Sequence, residues 1–482
     1  MKPSQILAFL FFSLFSLAAV STFLDKNNVK IGGIELVKIE ESQIQNELIK
    51  QDSTEIFKKQ QLINDSILIA KKKDELYRKP SKSFQDTLTL LEIESLESPA
   101  KFYYSENSQV MNQLFDALEQ TKRDNTVFRI LHYGDSQIEM DRISSYIREQ
   151  LQKSYGGSGM GLLPAMEITP KYTVAIQSTG SWTRKLTFGS KDFRSKHNRY
   201  GPMAYFSRLD SEKGKVFITA RDNTSFKNKN FKQCKILIGA NSNPLEINFT
   251  SGKTLSLSRI IQPSSIEQLI VFESDTVDFN GKVELEFKGI GAEVLGIALD
   301  GNSGVSVDNI PMRGCSGLMF KYINSETLRR TYQNLGVKML ILQFGGNALP
   351  GMTLKSSADY YGKRFYEEIM YLKSINPDLL IFVIGPADMS VKQDGVLQTH
   401  IQLENLRDAM KAATIKSGGV FWDMYEAMGG KGSMIKWVQS KPSLGSPDYI
   451  HFTQNGANKI SKIFYQSLMK EYEMYKLRKQ VN

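Results

Sequence analysis

The first candidate for chemistry is a serine that follows an apolar stretch. Residues Val127 to Tyr133 are apolar and β-prone, Gly134, Asp135 and Ser136 come next, and the segment after them has helical character. A serine on a tight strand-to-helix turn exposes its hydroxyl at the carboxyl end of a sheet, with its backbone N–H near the positive end of the new helix. Both features suit a nucleophile whose attack generates an oxyanion. The same tripeptide also serves as an ordinary turn.

A serine nucleophile needs a base, and the chain has only four histidines. His132 falls in the strand before the serine, His197 in a β-rich region and His400 at the polar start of a helix. The fourth, His451, lies three residues after Asp448. At that spacing a loop lets the carboxylate orient the imidazole and stabilise its cation. We therefore expect His451 to be the base and Asp448 its partner, against the alternative of a solvated loop.

Two further positions offer donors for an oxyanion. Asn347 follows a buried strand and carries an amide N–H₂ beside two glycines. Gly314 offers a backbone N–H with no side chain in the way, and Gly317 is a nearby alternative. One such donor is typically worth about 3 kcal/mol of transition-state stabilisation.

Length and composition indicate a soluble, multi-domain protein. A chain of 482 residues divides into two or three units, and 41% hydrophobic with 23% charged residues is typical of a globular body. The net charge of +10 favours anionic surroundings. No Lys/Arg run interleaves with aromatic residues, which argues against nucleic acid as a partner. The two cysteines, Cys234 and Cys315, cannot form a disulfide framework or a zinc site alone, and we expect no metal or cofactor.

The N-terminal residues predict export from the cytoplasm. A short basic start, Met1 and Lys2, precedes an uncharged apolar run from Ile6 to Leu24. Residues 1–24 are therefore predicted to be a signal peptide or an uncleaved signal anchor. The protein is expected to be extracytoplasmic, periplasmic or in the cell envelope. Residues 25–104 are charged and without a sustained heptad, and we expect a partly helical or disordered spacer.

The remaining chain predicts two kinds of domain. Residues 105–163 and 301–482 contain near-continuous apolar strands, such as Met339 to Phe344 and Asp378 to Ile384, alternating with helices. That alternation predicts a parallel sheet covered on both faces, with functional groups at the carboxyl ends of its strands. Residues 164–300 alternate short β-prone runs with polar turns, which predicts an inserted β-sandwich lobe. Such a lobe either binds polymer or simply shapes the cleft.

Taken together, these blocks resemble a known family. In chain order they are Gly134-Asp135-Ser136, the Gly314 loop, Gly345-Gly346-Asn347 and Asp448-x-x-His451. This set is similar to the blocks of the SGNH (GDSL) hydrolases. The resemblance implies an SGNH-type, flavodoxin-like parallel sheet with helices on both faces. It also implies that Ser136 is the nucleophile, that Asp448 and His451 complete the triad, and that Gly314 and Asn347 join the Ser136 N–H in the oxyanion hole.

The resemblance extends to one branch of that family. The β insertion and the segment Phe421 to Gly430 are similar to the peptidoglycan O-acetylesterases, whose members carry a lobe like a carbohydrate-binding module. Gln137 stands where GDSL has leucine, which that branch tolerates. The implied function is a serine esterase that removes O-acetyl groups from an envelope glycan, with acetylated peptidoglycan as the expected substrate. Association with the cell wall or the membrane fits that role.

Three other functions share these features. An O-acetyltransferase uses the same triad, with a sugar hydroxyl in place of water. A glycan-binding envelope protein could retain a vestigial catalytic body. Lipase activity fits less well, because no apolar lid is evident and a β lobe better suits a polymer.

Overall fold

The computed structural model describes residues 29–31, 34–36, 100–167, 169–221, 229–252, 255–273 and 281–481. The chain divides into two compact units, Met1–Asp86 and Thr87–Asn482. The predicted signal, residues 1–24, lies outside the described residues. So do residues 25–28, 32–33 and 37–99 of the predicted spacer. In the first unit the described residues form one antiparallel pair of short strands. Among the described helices, none has both the length and the apolar character that a membrane span requires.

The strands are β1 (Val29–Ile31), β2 (Ile34–Leu36), β3 (Phe102–Tyr103), β4 (Val127–Gly134), β5 (Gly161–Leu163), β6 (Val174–Thr179), β7 (Trp182–Leu186), β8 (Tyr205–Leu209), β9 (Lys213–Ala220), β10 (Gln233–Ile238), β11 (Leu245–Ser251), β12 (Leu255–Ile261), β13 (Gln268–Glu273), β14 (Lys282–Lys288), β15 (Glu293–Asp300), β16 (Gly304–Pro311), β17 (Val337–Gln343), β18 (Leu380–Ile384), β19 (Ser390–Gln393), β20 (Val396–Thr399) and β21 (Val420–Trp422). The α-helices are α1 (Val110–Asp124), α2 (Ser144–Tyr155), α3 (Ser325–Leu335), α4 (Lys355–Ile375), α5 (Leu403–Lys416), α6 (Met424–Met428), α7 (Ser433–Gln439) and α8 (Gln454–Val481).

The second unit is built on a six-stranded sheet in the order β16-β4-β17-β18-β21-β3. Its strands pair in parallel except at the edge, where β3 runs antiparallel to β21. If the five parallel strands are numbered by their order along the chain, they lie side by side in the order 2-1-3-4-5, which is the flavodoxin-like order. In such a sheet the chain reverses its direction of growth between β4 and β17, and a crevice opens at the carboxyl ends of these two strands.

Helices cover both faces of this sheet. Alternate residues of β4 enter different apolar clusters: Leu131 packs with α3, α4 and α5, whereas Ile130 packs with α1, α2 and α8. A strand buried on both faces needs apolar residues at nearly every position, which is why the runs in β17 and β18 are almost uninterrupted. The predicted fold class, an α/β protein with a flavodoxin-like parallel sheet, is confirmed.

Between β4 and β16 in sequence, residues 161–300 form two antiparallel sheets, which we call the β lobe. One sheet has the order β13-β10-β15-β8-β7, with β5 also paired to β15, and the other has the order β12-β11-β14-β9-β6. Their inner faces share an apolar cluster that includes Ile236, Phe249 and Leu285. The antiparallel pairing begins at Gly161, upstream of the predicted boundary at residue 164. The main sheet likewise takes in β3, upstream of the predicted start at Ser105.

The sequence analysis missed β16, although this edge strand leads to the Gly314 loop. Three of its buried residues are polar, Ser306, Asp308 and Asn309, so the strand lacks the apolar run that marks its neighbours. Asn309 Nδ2 donates to the Ile138 carbonyl at 2.9 Å, which offsets the cost of burying its N–H group.

A buried charge cluster joins β16 to its surroundings. On β4, Arg129 donates through Nη1 to both carboxylate oxygens of Asp308, at 2.9 and 2.7 Å, and through Nη2 to Asp300 at the end of β15. Asp308 also accepts the backbone N–H of Leu162 on β5 at 3.0 Å. All three charged side chains are fully buried. The cluster therefore holds the first and last strands of the β lobe against the main sheet.

Candidate active site

The serine lies directly beyond the carboxyl end of β4. Gly134 ends the strand, and a Cβ built there would lie 3.0 Å from the Gln343 carbonyl oxygen of the neighbouring β17, tighter than most side chains tolerate. Asp135 then turns the chain, and its Oδ1 accepts the N–H of Gln137 at 2.9 Å. This cap begins a short 3-10 helix, Ser136–Asp141, with the serine at its first position.

The segment after Ser136 is helical, as the sequence predicted, but it begins as a short 3-10 helix and not as a long α-helix. Within the 3-10 helix Glu139 has φ −54° and ψ 160°, and Met140 has φ 63°, so the helical backbone is interrupted. The α-helix α2 starts only at Ser144. The positive end of a long helix is therefore not available to Ser136, and stabilisation of an oxyanion must come from individual donors.

Ser136, His451 and Asp448 form the relay that the sequence predicted. Ser136 Oγ lies 2.8 Å from His451 Nε2, and His451 Nδ1 lies 2.7 Å from Asp448 Oδ2. Asp448 Oδ1 accepts the backbone N–H of Ile450 at 2.9 Å and that of His451 at 3.0 Å. With Nδ1 donating to the carboxylate, Nε2 is the ring nitrogen that can accept the serine proton.

The carboxylate of Asp448 stays charged over a wide range of pH. Partial burial raises its pKa, but the hydrogen bonds from the His451 ring and from two backbone N–H groups outweigh burial, so the pKa lies below its ordinary value. The side chains of His451 and Asp448 are 34% and 47% exposed. Water can therefore reach the base directly.

The relay opens into a cavity of about 580 Å³ that contains both predicted oxyanion donors. Gly314 and Asn347 line it together with Ser136 and His451. Asn347 Nδ2 lies 3.4 Å from the Cys315 carbonyl oxygen, a long hydrogen bond. Within the described chain the backbone N–H of Gly314 has no acceptor, and a Cβ built on this residue meets no atom within 4 Å. Both candidate donors therefore line the same cavity as Ser136, and the N–H of Gly314 is open to a ligand in it.

Gly317, the alternative donor, has a different environment. Its N–H points to Cys315 Sγ at 3.4 Å, and a Cβ built on it would lie 2.7 Å from the Phe344 ring. Gly317 is therefore a packing glycine whose φ of +84° forms the turn. The geometry favours Gly314 over Gly317 as the donor.

Asp135 contributes a second carboxylate beside the relay. The side chain is buried, and this burial raises its pKa to about 6, against the lowering effects of the Gln137 N–H and of charge on His451.

The other histidines are held elsewhere. His132 is buried, with Nδ1 2.9 Å from Ser144 Oγ and Nε2 3.1 Å from the Gln343 side chain. His197 lies 2.9 Å from Glu293 in the β lobe. Neither histidine lines the cavity. Among the described residues, no group of three or more His, Cys, Asp or Glu side chains is arranged to hold a metal ion.

The sequence analysis missed two residues that join the serine loop to the histidine loop. Gln137 donates through Nε2 to the Ile450 carbonyl at 2.6 Å and accepts the Phe452 N–H at 3.3 Å, so it bonds to both neighbours of His451. Arg142 donates to the carbonyls of Ser136, Gln137 and Phe452. Neither residue carries a sequence signal for this role, because the partners in the histidine loop are more than three hundred residues away.

Gln137→Leu is expected to lower kcat for a soluble acetyl ester by about ten- to a hundredfold, with little change in KM. Leucine fills the volume but leaves the Ile450 carbonyl and the Phe452 N–H unpaired, which costs about 1–3 kcal/mol and releases the loop that carries His451. Small displacements of a catalytic group have effects of this size. Steady-state kinetics measures both constants.

Gln152→Leu is the matched control for this prediction. Gln152 is also a buried glutamine that bonds to two segments, through the carbonyls of Gly159 at 3.2 Å and Val305 at 3.3 Å, but it is remote from the relay. This variant should lose stability and keep its kcat. An unchanged kcat in Gln137→Leu would contradict the positioning role.

Comparisons with known proteins bear on the fold. No protein family model matches the sequence, and no curated protein does. Among solved structures, a peptidoglycan O-acetylesterase aligns with 77% of this chain and 98% of its own, at a TM-score of 0.59 and 17% identity. The chain shares the fold of this solved esterase. A family two carbohydrate esterase from Clostridium thermocellum, in complex with cellohexaose, aligns with 61% of this chain and 100% of its own, at 10% identity and a TM-score of only 0.24.

Proposed function

We propose that this protein is a serine esterase that removes O-acetyl groups from an envelope glycan, with O-acetylated peptidoglycan as its substrate. The observation that carries the proposal is the continuous hydrogen-bonded relay from Ser136 through His451 to Asp448, set in a cavity beside Gly314 and Asn347. The fold of a solved peptidoglycan O-acetylesterase supports the choice of substrate class.

In the first half of the reaction, Ser136 Oγ attacks the acetyl carbonyl carbon while its proton passes to His451 Nε2. Charge develops on the carbonyl oxygen, which accepts hydrogen bonds from the N–H groups of Ser136 and Gly314 and from Asn347 Nδ2. Asp448 stabilises the imidazolium. His451 then protonates the departing sugar oxygen, and the acetyl group remains as an ester on Ser136.

The second half of the reaction needs a water molecule. His451 takes a proton from this water, the hydroxide attacks the acetyl carbon, and acetate leaves as the proton returns to Ser136. The exposure of His451 and Asp448 supports hydrolysis over transfer to a second sugar, because nothing among the described residues keeps water from the base. An O-acetyltransferase would use the same first half and would have to exclude that water.

The cellular location of the protein is part of the same proposal. An acetylated wall polymer is met outside the cytoplasm, where the apolar run Ile6 to Leu24 would deliver or tether the chain. The net charge of +10 would favour association with an anionic wall or membrane surface.

Acetate release from matched polymers tests the choice of substrate. We expect a kcat/KM on O-acetylated peptidoglycan at least about tenfold above that on acetylated xylan, a difference of about 1.4 kcal/mol in transition-state binding. Including a deacetylated glycan as acceptor in the same assay detects transfer as newly acetylated sugar. Equal rates on both polymers would overturn the peptidoglycan assignment, and acetylated acceptor in place of free acetate would overturn hydrolysis.

A further inference from the structure

A second cavity, of about 560 Å³, lies beside the catalytic cavity. The two share three lining residues, Glu139, Arg313 and Gly314. The far wall of the second cavity belongs to the β lobe, with Arg184 and Leu186 on β7 and Tyr205 on β8 among its residues. A glycan held at Ser136 can therefore extend past Gly314 toward the β lobe.

The ridge between the cavities is an ion pair. Arg313 Nε and Nη2 donate to the two carboxylate oxygens of Glu139, at 2.8 and 2.7 Å. Glu139 is buried, whereas the Arg313 side chain is 68% exposed. Gly314 adds no side chain to this ridge, and a Cβ built on it meets no atom within 4 Å.

The lining of the second cavity combines apolar surface with one unpaired cation. Leu186, Phe188, Leu318 and Met319 supply the apolar part. Arg184 is half-buried, and its guanidinium lies 6.0 Å from the centroid of the Tyr205 ring.

No carboxylate within the described residues pairs with Arg184. Burial lowers the pKa of its guanidinium, so the charge carries a desolvation cost that no anion in the described part of the chain offsets. The buried arginines Arg129 and Arg148, in contrast, each form ion pairs with aspartate. A planar guanidinium at a half-buried position is suited to bind a ligand carboxylate through two parallel hydrogen bonds.

We propose that this second cavity is a subsite for a carboxylate on a short apolar stem, attached to the acetylated sugar or to its neighbour, with Arg184 binding the carboxylate. The inference rests on the proposed function and narrows it: the substrate is an acidic acetylated glycan. In peptidoglycan the lactyl ether of the acetylated sugar is such a group wherever its stem peptide has been removed and the lactyl carboxylate is free. A uronic acid in another polymer offers the same charge without the apolar stem.

Kinetics of Arg184→Met on paired substrates tests the subsite. The substrates are an O-acetylated peptidoglycan disaccharide with a free lactyl carboxylate, the same disaccharide with that carboxylate amidated, and an acetylated xylan fragment bearing a uronic acid. In the wild type we expect KM for the free carboxylate to be about tenfold or more below that for the amide. In Arg184→Met this ratio should fall to about one, and Arg184→Lys should restore part of it.

Arg208→Met is the matched control. Arg208 lies on the adjoining strand β8, is 45% exposed and pairs with Asp210 at 2.8 Å, and it lines neither cavity. Its KM ratio should match that of the wild type. The proposal is overturned if the wild type does not distinguish the free carboxylate from the amide, or if Arg184→Met keeps the wild-type ratio. Preference for the uronic acid fragment over the lactyl disaccharide would overturn the claim that the carboxylate is recognised on an apolar stem.

Binding measured without catalysis separates this inference from the proposed esterase activity. Calorimetry with Ser136→Ala and the deacetylated disaccharide should give a Kd about tenfold lower for the free carboxylate than for the amide. That difference would hold even if the protein released no acetate. Acetate release with no such difference in Kd would leave the esterase proposal in place and overturn the subsite.

Discussion

Ser136→Ala is expected to lower hydrolysis of a soluble acetyl ester by about three to six orders of magnitude. The variant loses the oxygen that forms the acetyl-enzyme, and His451 then has no nucleophile within hydrogen-bond distance on the serine side. The residual rate would come from the oxyanion donors and from water activated by the base. Acetate release in purified protein measures the loss, and an organophosphonate that labels the wild type should leave Ser136→Ala unmodified.

The fold contains a control for this variant. Ser144 Oγ lies 2.9 Å from His132 Nδ1, so the chain has a second serine–histidine contact, but this one is fully buried away from the cavity. Ser144→Ala should keep its rate on the acetyl ester and still react with the phosphonate. Retention of most activity in Ser136→Ala would overturn the nucleophile assignment. Absence of phosphonate labelling in the wild type would instead favour a vestigial site in a glycan-binding protein.

Arg129→Met is expected to destabilise the second unit by about 3–5 kcal/mol, because it leaves Asp308 buried without a counter-charge and leaves Asp300 with Lys235 alone, at 3.5 Å. Urea denaturation followed by circular dichroism measures the loss as a lower midpoint. The exposed pair of Arg208 with Asp210 provides the comparison, since Arg208→Met should cost less than about 1 kcal/mol.

A triple variant tests the physical cause of that loss. Adding Asp300→Asn and Asp308→Asn to Arg129→Met removes both buried negative charges while keeping similar volumes, and should recover a large part of the stability. Unchanged stability in Arg129→Met alone would show that the cluster carries no net stabilisation. Recovery in the triple variant would assign the cost to buried charge and not to lost packing.

Sequence reasoning found what local patterns encode. The apolar runs of β17 and β18 and the periodicity of α4 and α5 are properties of neighbouring residues, so they were visible without a structure. The short blocks at Ser136 and His451 were visible because chemistry demands particular residue types there. The structure brings these two blocks together in one relay.

The features that could not be predicted from the sequence depend on partners distant in the chain. β16 is a buried strand with polar residues, and it is recognisable only once Arg129 is known to face Asp308. The helix is interrupted at Met140 because this residue has a left-handed backbone. The sequence does not indicate that conformation, since no glycine stands there. Gln137 reads as a departure from GDSL until its hydrogen bonds to the histidine loop are known.

The hydrogen bond between Ser136 and His451 joins residues 315 positions apart. Closing so long a segment costs conformational entropy that only native packing on both sides repays, and contacts of such high sequence separation form late in folding. Helices, and pairs of strands whose residues lie closer together in the chain, can form earlier. During refolding, catalytic competence should therefore return after the secondary structure, so that activity reports on long-range assembly and not on the first elements to form.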